Sequence, residues 1–123
     1  MSAAVKARVL IASADVELSE SRKLIIERQA AVEVAVSRNK QHALALLHRE
    51  LFDLLILCNS LTSRTQTEFS TIYRQKNPKG RILAIVVRGA AELQFDALLF
   101  SPVSPRELLS AVRDLLSPAG SNS

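Results

Sequence analysis

Residues 53–60, DLLILCNS, place four consecutive aliphatic residues between an aspartate and Cys58, the single cysteine of the chain. An aliphatic run without alternating polar positions is typical of a strand that is covered on both faces of a parallel sheet. Two further runs of the same kind occur, RVLIA at residues 8–12 and RILAIVV at residues 81–87. The three runs predict a buried parallel sheet, with Cys58 at the carboxyl end of one strand.

Two more segments have strand character, VEVAV at residues 32–36 and ALLF at residues 97–100. Segments with helical spacing separate the strands, which predicts an α/β fold with a doubly wound parallel sheet. The functional site of such a fold lies at the carboxyl ends of the strands. We predict a single domain over residues 1–117, followed by a flexible tail or the start of a linker at residues 118–123.

The first three predicted helices are amphipathic segments between these strands. The first begins after Asp15, which is available as an N-cap, and has Leu18, Ser21 and Ile25 at helical intervals. The second is predicted over residues 40–51, with an apolar stripe formed by Ala43, Leu44, Leu47 and Leu51. The third ends at the NPKG sequence of residues 77–80 and has an apolar face formed by Phe69, Ile72 and Tyr73.

The last predicted helix has the clearest start signal in the chain. Ser104 is a capping residue, Pro105 suits the first helical position, and Glu107 completes a capping box. Its predicted apolar face consists of Leu108, Leu109, Val112, Leu115 and Leu116.

The composition is that of a soluble globular protein, with 48% hydrophobic and 23% charged residues among 123. No apolar run approaches the roughly 20 residues that a membrane-spanning helix needs, so we predict no membrane association. A single cysteine excludes a disulfide within the chain and favours a reducing, cytoplasmic location.

The net charge of +4 would suit an acidic partner or nucleic acid. The basic residues are spread along the chain, and the densest group consists of Arg74, Lys76, Lys79 and Arg81. Aromatic residues make up only 4%, with no tryptophan, which does not favour base stacking. A solvated surface is therefore the simpler interpretation, and nucleic-acid binding by this domain alone is an alternative that a steep salt dependence would support.

Four segments together carry a resemblance: VLIASADVE at 9–17, HALALLHRELFDLLILC at 42–58, RILAIVV at 81–87 and LLFSPVSPRELLSAVRDLL at 98–116. In order and spacing they resemble the receiver domain of response regulators, the CheY-like phosphoacceptor module of two-component signalling. In that family the first strand ends in an acidic pair, the third on the phosphorylated aspartate and the fourth in Thr or Ser, and a Lys-Pro segment precedes the last helix. The resemblance implies a flavodoxin-like, five-stranded parallel sheet in the order 2-1-3-4-5.

The residues that carry the family's chemistry are replaced in this chain. Ser13 and Ala14 stand where receivers have two carboxylates that hold Mg²⁺. Cys58 corresponds to the phosphoacceptor aspartate, Val86 to the switch Thr or Ser, and Ser101 to the invariant lysine. Phosphoryl transfer to a receiver needs a carboxylate nucleophile and a metal, and Mg²⁺ prefers carboxylate oxygens. We therefore expect no aspartyl phosphorylation, no bound Mg²⁺ and no catalytic residue at these degenerate positions.

The segment around the fifth strand keeps one family feature and loses another. Ser101-Pro102 stands where the family has its Lys-Pro bond, which is cis, so the resemblance implies a cis peptide bond before Pro102. Only residues 88–96 separate the fourth and fifth strands, which leaves room for a turn or two of helix. We therefore predict that the helix between these strands is shortened or absent.

These features predict a pseudo-receiver, an atypical and non-enzymatic member of the response-regulator family in phosphorelay signal transduction. It would be independent of phosphorylation and would act through protein–protein contacts. The resemblance implies a histidine kinase, another receiver or an attached output domain as partner. A homodimer would use residues 97–116, from Ala97 to Leu116.

An alternative function is a thiol-based redox or small-ligand sensor that uses Cys58. A reactive thiol needs a lowered pKa, which a helix N-terminus or a nearby cation provides. None of the matching site positions is basic, so a small apolar side chain in the place of an aspartate is the simpler interpretation of Cys58.

Other polar residues give weaker signals. His42 and His48 are six residues apart on one predicted helix, so they do not share the face that a metal site needs. The hydroxyls near the predicted site have no histidine or carboxylate at a recognisable spacing, which does not favour a nucleophilic serine or threonine. These hydroxyls belong to Ser13, Ser60, Thr62 and Ser63.

Overall fold

A computed structural model describes residues 6–87 and 95–117. The strands are β1 (Ala7–Ala12), β2 (Val32–Val36), β3 (Leu54–Leu57), β4 (Arg81–Val86) and β5 (Ala97–Phe100). The helices are α1 (Val16–Gln29), α2 (Lys40–Arg49), α3 (Ser63–Lys76) and α4 (Pro105–Leu116).

The five strands form one parallel sheet in the order β2-β1-β3-β4-β5, which confirms the predicted topology. Strand β3 lies at the centre, where Leu54 is paired with Val9 of β1 on one side and Arg81 of β4 on the other. Every residue of β3 is fully buried. Burial of a Leu or Ile side chain contributes about 1.5–3 kcal/mol, so an all-aliphatic β3 stabilises the sheet from both faces.

The helices cover the sheet in two layers, each with its own apolar cluster. One cluster joins α2 and α3 to the sheet and contains Leu47, Phe69 and Leu57. The other joins α1 and α4 to the sheet and contains Ile26 and Val112. Cys58 belongs to this second cluster, so its side chain points toward α1 and α4.

The predicted caps at the two best-marked helix starts are confirmed. Asp15 is the N-cap of α1, where its Oδ1 accepts a hydrogen bond from the Leu18 amide at 3.0 Å. At α4, the Ser104 hydroxyl accepts from the Glu107 amide at 3.1 Å, and the Glu107 carboxylate accepts from the Ser104 amide at 3.0 Å. Because such caps satisfy amides that a helix start leaves unpaired, they fix where both helices begin.

The buried faces of α1 and α2 differ from the predicted ones. In α1 the buried residues are Ser19, Arg22 and Ile26, whereas Leu18 is 39% exposed. The predicted residues have helical spacing, but the series begins at Leu18, which faces solvent, so it follows the wrong face of the helix. The buried face contains an arginine, and an arginine does not indicate burial in a sequence. Helix α2 ends at Arg49, and the predicted stripe residue Leu51 lies beyond it and is 57% exposed.

Helix α3 is anchored at its carboxyl end by Tyr73. Its hydroxyl donates a hydrogen bond to the Phe52 carbonyl at 2.6 Å, just before β3. Gly80 packs directly on the phenol ring, and a Cβ atom at that position would overlap the ring. The NPKG segment therefore ends α3 and also supplies the space that Tyr73 occupies.

Residues 88–94, most of the connection between β4 and β5, lie outside the described residues, and the prediction of a shortened or absent helix within residues 88–96 falls largely on them. The predicted tail at residues 118–123 likewise lies outside the described residues. Among the described helices, none is long and apolar enough to cross a bilayer.

Candidate functional site

The carboxyl ends of β1 and β3 bring Ser13 and Cys58 together, as the sheet topology requires. The Cys58 amide donates to the Ala12 carbonyl at 3.0 Å, which aligns the two strand ends. The Ser13 and Ser60 hydroxyls are 2.8 Å apart, and the Ala14 amide donates to the Ser60 oxygen at 2.8 Å. Ser13 and Cys58 are buried, whereas Ser60 is exposed, so the thiol and the Ser13 hydroxyl lie beneath the surface and Ser60 lies at it.

Arg22 of α1 adds a cation to this site. Its Nη1 donates a hydrogen bond to the Cys58 sulfur at 3.1 Å, and the arginine is only 7% exposed. Within residues 6–87 and 95–117, the guanidinium of Arg22 makes this one hydrogen bond and forms no ion pair with a carboxylate. A guanidinium has five N–H donors and sulfur is a weak acceptor, so the cation is poorly compensated. The cluster formed by Ser13, Arg22, Cys58 and Ser60 is hereafter the thiol site.

This arginine is a nearby cation that the interpretation of Cys58 as a small apolar side chain did not take into account. That interpretation considered only the positions matched to the family's active site, and Arg22 reaches the thiol from the middle of α1. A sequence signal did exist, because Asp15, Ser19, Arg22 and Ile26 follow one another at intervals of three and four residues. That spacing puts Arg22 between a capping residue and a core isoleucine on one helix face.

The groups around the Cys58 thiol change its pKa in opposite directions. Burial raises the pKa of Cys58 above its ordinary value of 9.0, whereas the charge and hydrogen bond of Arg22 and the hydroxyl of Ser13 lower it. The carboxylate of Asp15 raises it further, and the net shift is upward. Cys58 is therefore a protonated thiol at neutral pH, held against a cation.

Gln66 of α3 connects the carboxyl ends of β3 and β4 beside the thiol site. Its Nε2 donates to the Cys58 carbonyl at 3.0 Å and to the Ile85 carbonyl at 3.1 Å, and its side chain is buried. The backbone after β3 is held in the same place by the Leu61 amide, which donates to the Cys58 carbonyl at 3.1 Å. These contacts fix the backbone at the end of β3.

Val86 and Ser101 lie at the ends of β4 and β5. The Ser101 amide donates to the Val86 carbonyl at 2.9 Å, which joins the two positions through the backbone. Val86 is buried and Val87 is 61% exposed, and neither has a hydroxyl. The Ser101–Pro102 peptide bond is cis, which is the isomer that the resemblance implied.

The other candidates have structural roles or lie apart from the thiol site. Thr62 is the N-cap of α3, where its hydroxyl accepts from the Thr65 amide, and Ser63 begins that helix. The Nδ1 atom of His42 accepts from the Arg38 amide at 3.0 Å, whereas His48 is exposed near the end of α2. The described residues contain no cluster of three or more His, Cys, Asp or Glu side chains that would hold a metal.

No protein-family model matches the sequence, and no curated protein matches it. Solved structures do match. A CheY-like response regulator receiver domain protein from Methanospirillum hungatei JF-1 is 25% identical, with a TM-score of 0.76 over 89% of this chain and 93% of that one. The chemotaxis response regulator CheY4 of Vibrio cholerae is 20% identical, with a TM-score of 0.78 over 91% of this chain and 100% of that one.

A third similar structure is described as an adenylate cyclase from Rhodopirellula baltica. It is 18% identical, with a TM-score of 0.76 over 90% of this chain and 87% of that one. The three neighbours thus match nearly the whole chain, and the similarity confirms the predicted fold and its strand order.

Proposed function

We propose that this chain, which has the fold of CheY-like response-regulator receiver domains, is an atypical receiver in signal transduction that works without phosphorylation. It would act through protein–protein contacts and catalyse no reaction. Its similarity to receivers over nearly the whole chain supports the signalling role. The thiol site supports the loss of phosphorylation.

The observation that carries the proposal is the Arg22–Cys58 contact at the end of β3. A receiver transfers a phosphoryl group to a carboxylate at this position, and a metal neutralises the charge that develops. Here a protonated thiol replaces the carboxylate, and a guanidinium that belongs to the chain provides the positive charge. The site therefore has neither the nucleophile nor the need for an added cation.

The residues present do not fit Mg²⁺. Ser13 offers a neutral hydroxyl, Ala14 a methyl group and Cys58 a thiol, whereas Mg²⁺ prefers several oxygen ligands that include carboxylates. The guanidinium of Arg22, 3.1 Å from the sulfur, would also repel a divalent cation. Mg²⁺ therefore has no role in the function that we propose.

A partner surface at β5 and α4 fits the exposure of these elements. Strand β5 is at the edge of the sheet, and Phe100 at its end is 46% exposed. Leu99 of β5 and Leu115 of α4 are half-buried, so they have apolar area left for a partner. We propose this surface for a histidine kinase, another receiver, an attached output domain or a second copy of the chain. Such partners, and the reduced thiol, suit the cytoplasm.

Incubation with acetyl phosphate and Mg²⁺, followed by intact mass measurement, tests the proposal. A receiver that retains its acidic pair and its aspartate serves as the positive control. We expect a phosphoryl adduct on the control and none on this chain. The thiol site has a protonated thiol in place of the carboxylate nucleophile, and its residues do not suit a metal. An adduct on this chain that persists in the Cys58→Ala variant would point to another acceptor, and one that Cys58→Ala removes would overturn the proposal.

A further inference from the structure

We propose that Cys58 is a site of oxidation by hydroperoxides, and that Arg22 holds the anionic product. Oxidation to a sulfinate would place a negative charge at the position where the similar receivers accept a phosphoryl group. This inference deepens the redox alternative for the thiol site, and it does not depend on the absence of phosphorylation.

The first observation behind the proposal is the unmet charge of Arg22. The guanidinium is buried, and the thiol sulfur is the acceptor it has among the described residues. Buried charges in proteins are normally paired with an opposite charge. A sulfinate has one negative charge and two oxygens, which matches the two parallel N–H bonds that a guanidinium donates to a carboxylate. The site is therefore organised for the oxidised form of Cys58 more than for the thiol.

The second observation is the arrangement of hydroxyl groups around the sulfur. Hydrogen bonding by the Ser13 hydroxyl lowers the pKa of the Cys58 thiol, and the Ser60 hydroxyl lies 2.8 Å from the Ser13 hydroxyl. Both are able to donate to added oxygen atoms. The ionisable groups that act on the sulfur among the described residues are Arg22 and Asp15, and Arg22 makes the direct contact.

A hydroperoxide is the oxidant that converts the Cys58 thiol to a sulfinate in two steps. The sulfur attacks one peroxide oxygen and the O–O bond breaks. The leaving oxygen takes the thiol proton and departs as water or an alcohol, so sulfur is oxidised to sulfenic acid and the peroxide is reduced. A second hydroperoxide adds the second oxygen in the same way, and the product loses a proton to give the sulfinate. No disulfide competes within the chain, because Cys58 is its single cysteine.

The burial of Cys58 determines how fast the thiol is oxidised. The reactive form is the thiolate, and burial raises the pKa of Cys58, so oxidation of the folded protein should be slow at neutral pH and faster at alkaline pH. Cys58 has no exposed surface, so access to the sulfur requires a local opening of the structure around it. A hydroperoxide is small enough for a modest opening to admit it.

Peroxide treatment followed by peptide mass mapping tests the proposal. The proteins are the wild type, Arg22→Met and Cys58→Ser, treated with hydrogen peroxide while folded, and mapping separates Cys58 from Met1. We expect one and then two oxygens on Cys58 of the wild type. In Arg22→Met we expect oxidation about threefold slower or more, because an adjacent cation favours the thiolate.

Melting temperatures decide whether Arg22 stabilises the product. The oxidised wild type should melt at or above the temperature of the reduced protein, whereas oxidised Arg22→Met should melt below its reduced form. Equal oxidation rates in both proteins, oxidation of Cys58 only in urea, or an equal fall in melting temperature in both would overturn the proposal.

A pair of variants covers the case in which Arg22→Met does not fold. Cys58→Asp places a carboxylate, with the charge of a sulfinate, beside Arg22, and Cys58→Asn is its neutral match. We expect Cys58→Asp to have the higher melting temperature of the two, and the reverse order would overturn the role of Arg22. Neither result depends on labelling with acetyl phosphate, so failure of the phosphorylation proposal is distinguished from failure of this one.

Discussion

Arg22 and Cys58 meet at the carboxyl end of β3, where the guanidinium donates a hydrogen bond to the sulfur. The sequence predicted that Cys58 lies at the end of β3, because four aliphatic residues precede it and the following residues are polar. It did not predict Arg22, because a buried arginine breaks the apolar pattern from which helix faces are inferred. The position of the thiol was thus predictable, whereas its electrostatic environment was not.

The raised pKa of Cys58 predicts a loss of stability at alkaline pH. Above its ordinary value of 9.0, the unfolded chain releases the thiol proton while the folded protein retains it. The unfolded state then binds fewer protons, so the free energy of unfolding falls as the pH rises from that value toward the folded pKa. Chemical denaturation at several pH values from about 7 upward should show this fall, and Cys58→Ser should reduce it.

Tyr73 provides the control for this measurement. The pKa of the Tyr73 phenol is also raised, chiefly by burial. Tyr73 therefore also lowers the free energy of unfolding as the pH rises, but only above the ordinary phenol pKa of 10.0. Tyr73→Phe should therefore change the profile at higher pH than Cys58→Ser does. If Cys58→Ser leaves the profile unchanged, the thiol is not buried and protonated as the structure has it.

At the scale of elements, Gln66 shows how a helix holds the site. Helix α3 was predicted from Phe69, Ile72 and Tyr73, of which Phe69 and Tyr73 are fully buried. Its buried glutamine was not predicted, because a polar residue on a helix is normally solvated. Gln66 is buried because its amide donates to the carbonyls at the ends of β3 and β4.

Replacement of Gln66 by leucine is expected to lower the free energy of unfolding by about 1–3 kcal/mol. The Ile85 and Cys58 carbonyls each lose the hydrogen bond from the Gln66 amide, and the Cys58 carbonyl keeps the one from the Leu61 amide. The same change at Gln75, which is exposed on the same helix, should alter it by less than about 0.5 kcal/mol. Urea denaturation of both variants measures the difference. Equal effects of the two changes would contradict the role of Gln66.

At the scale of the whole molecule, the topology was the most predictable property. Five short apolar segments, the first four of which are separated by helices, permit few arrangements. The order 2-1-3-4-5 followed from the resemblance and is observed. The faces of α1 and α2 were harder to predict, because Leu18 and Leu51 are apolar and exposed. Apolar residues are common on protein surfaces, so exposure depends on the packing of the whole molecule.

The central claim is that the thiol site does not recognise a phosphoryl group with Mg²⁺, because Arg22 already provides the cation and Ser13 and Ala14 replace the two carboxylates that hold the metal in receivers. The most direct test is two-dimensional amide NMR during titration with beryllofluoride and Mg²⁺. We predict that the amide signals of Ser13, Cys58 and Ser101 stay in place at every concentration. Saturable shifts of these three signals would contradict the claim, since they would show that a phosphoryl-like ligand still binds at this site.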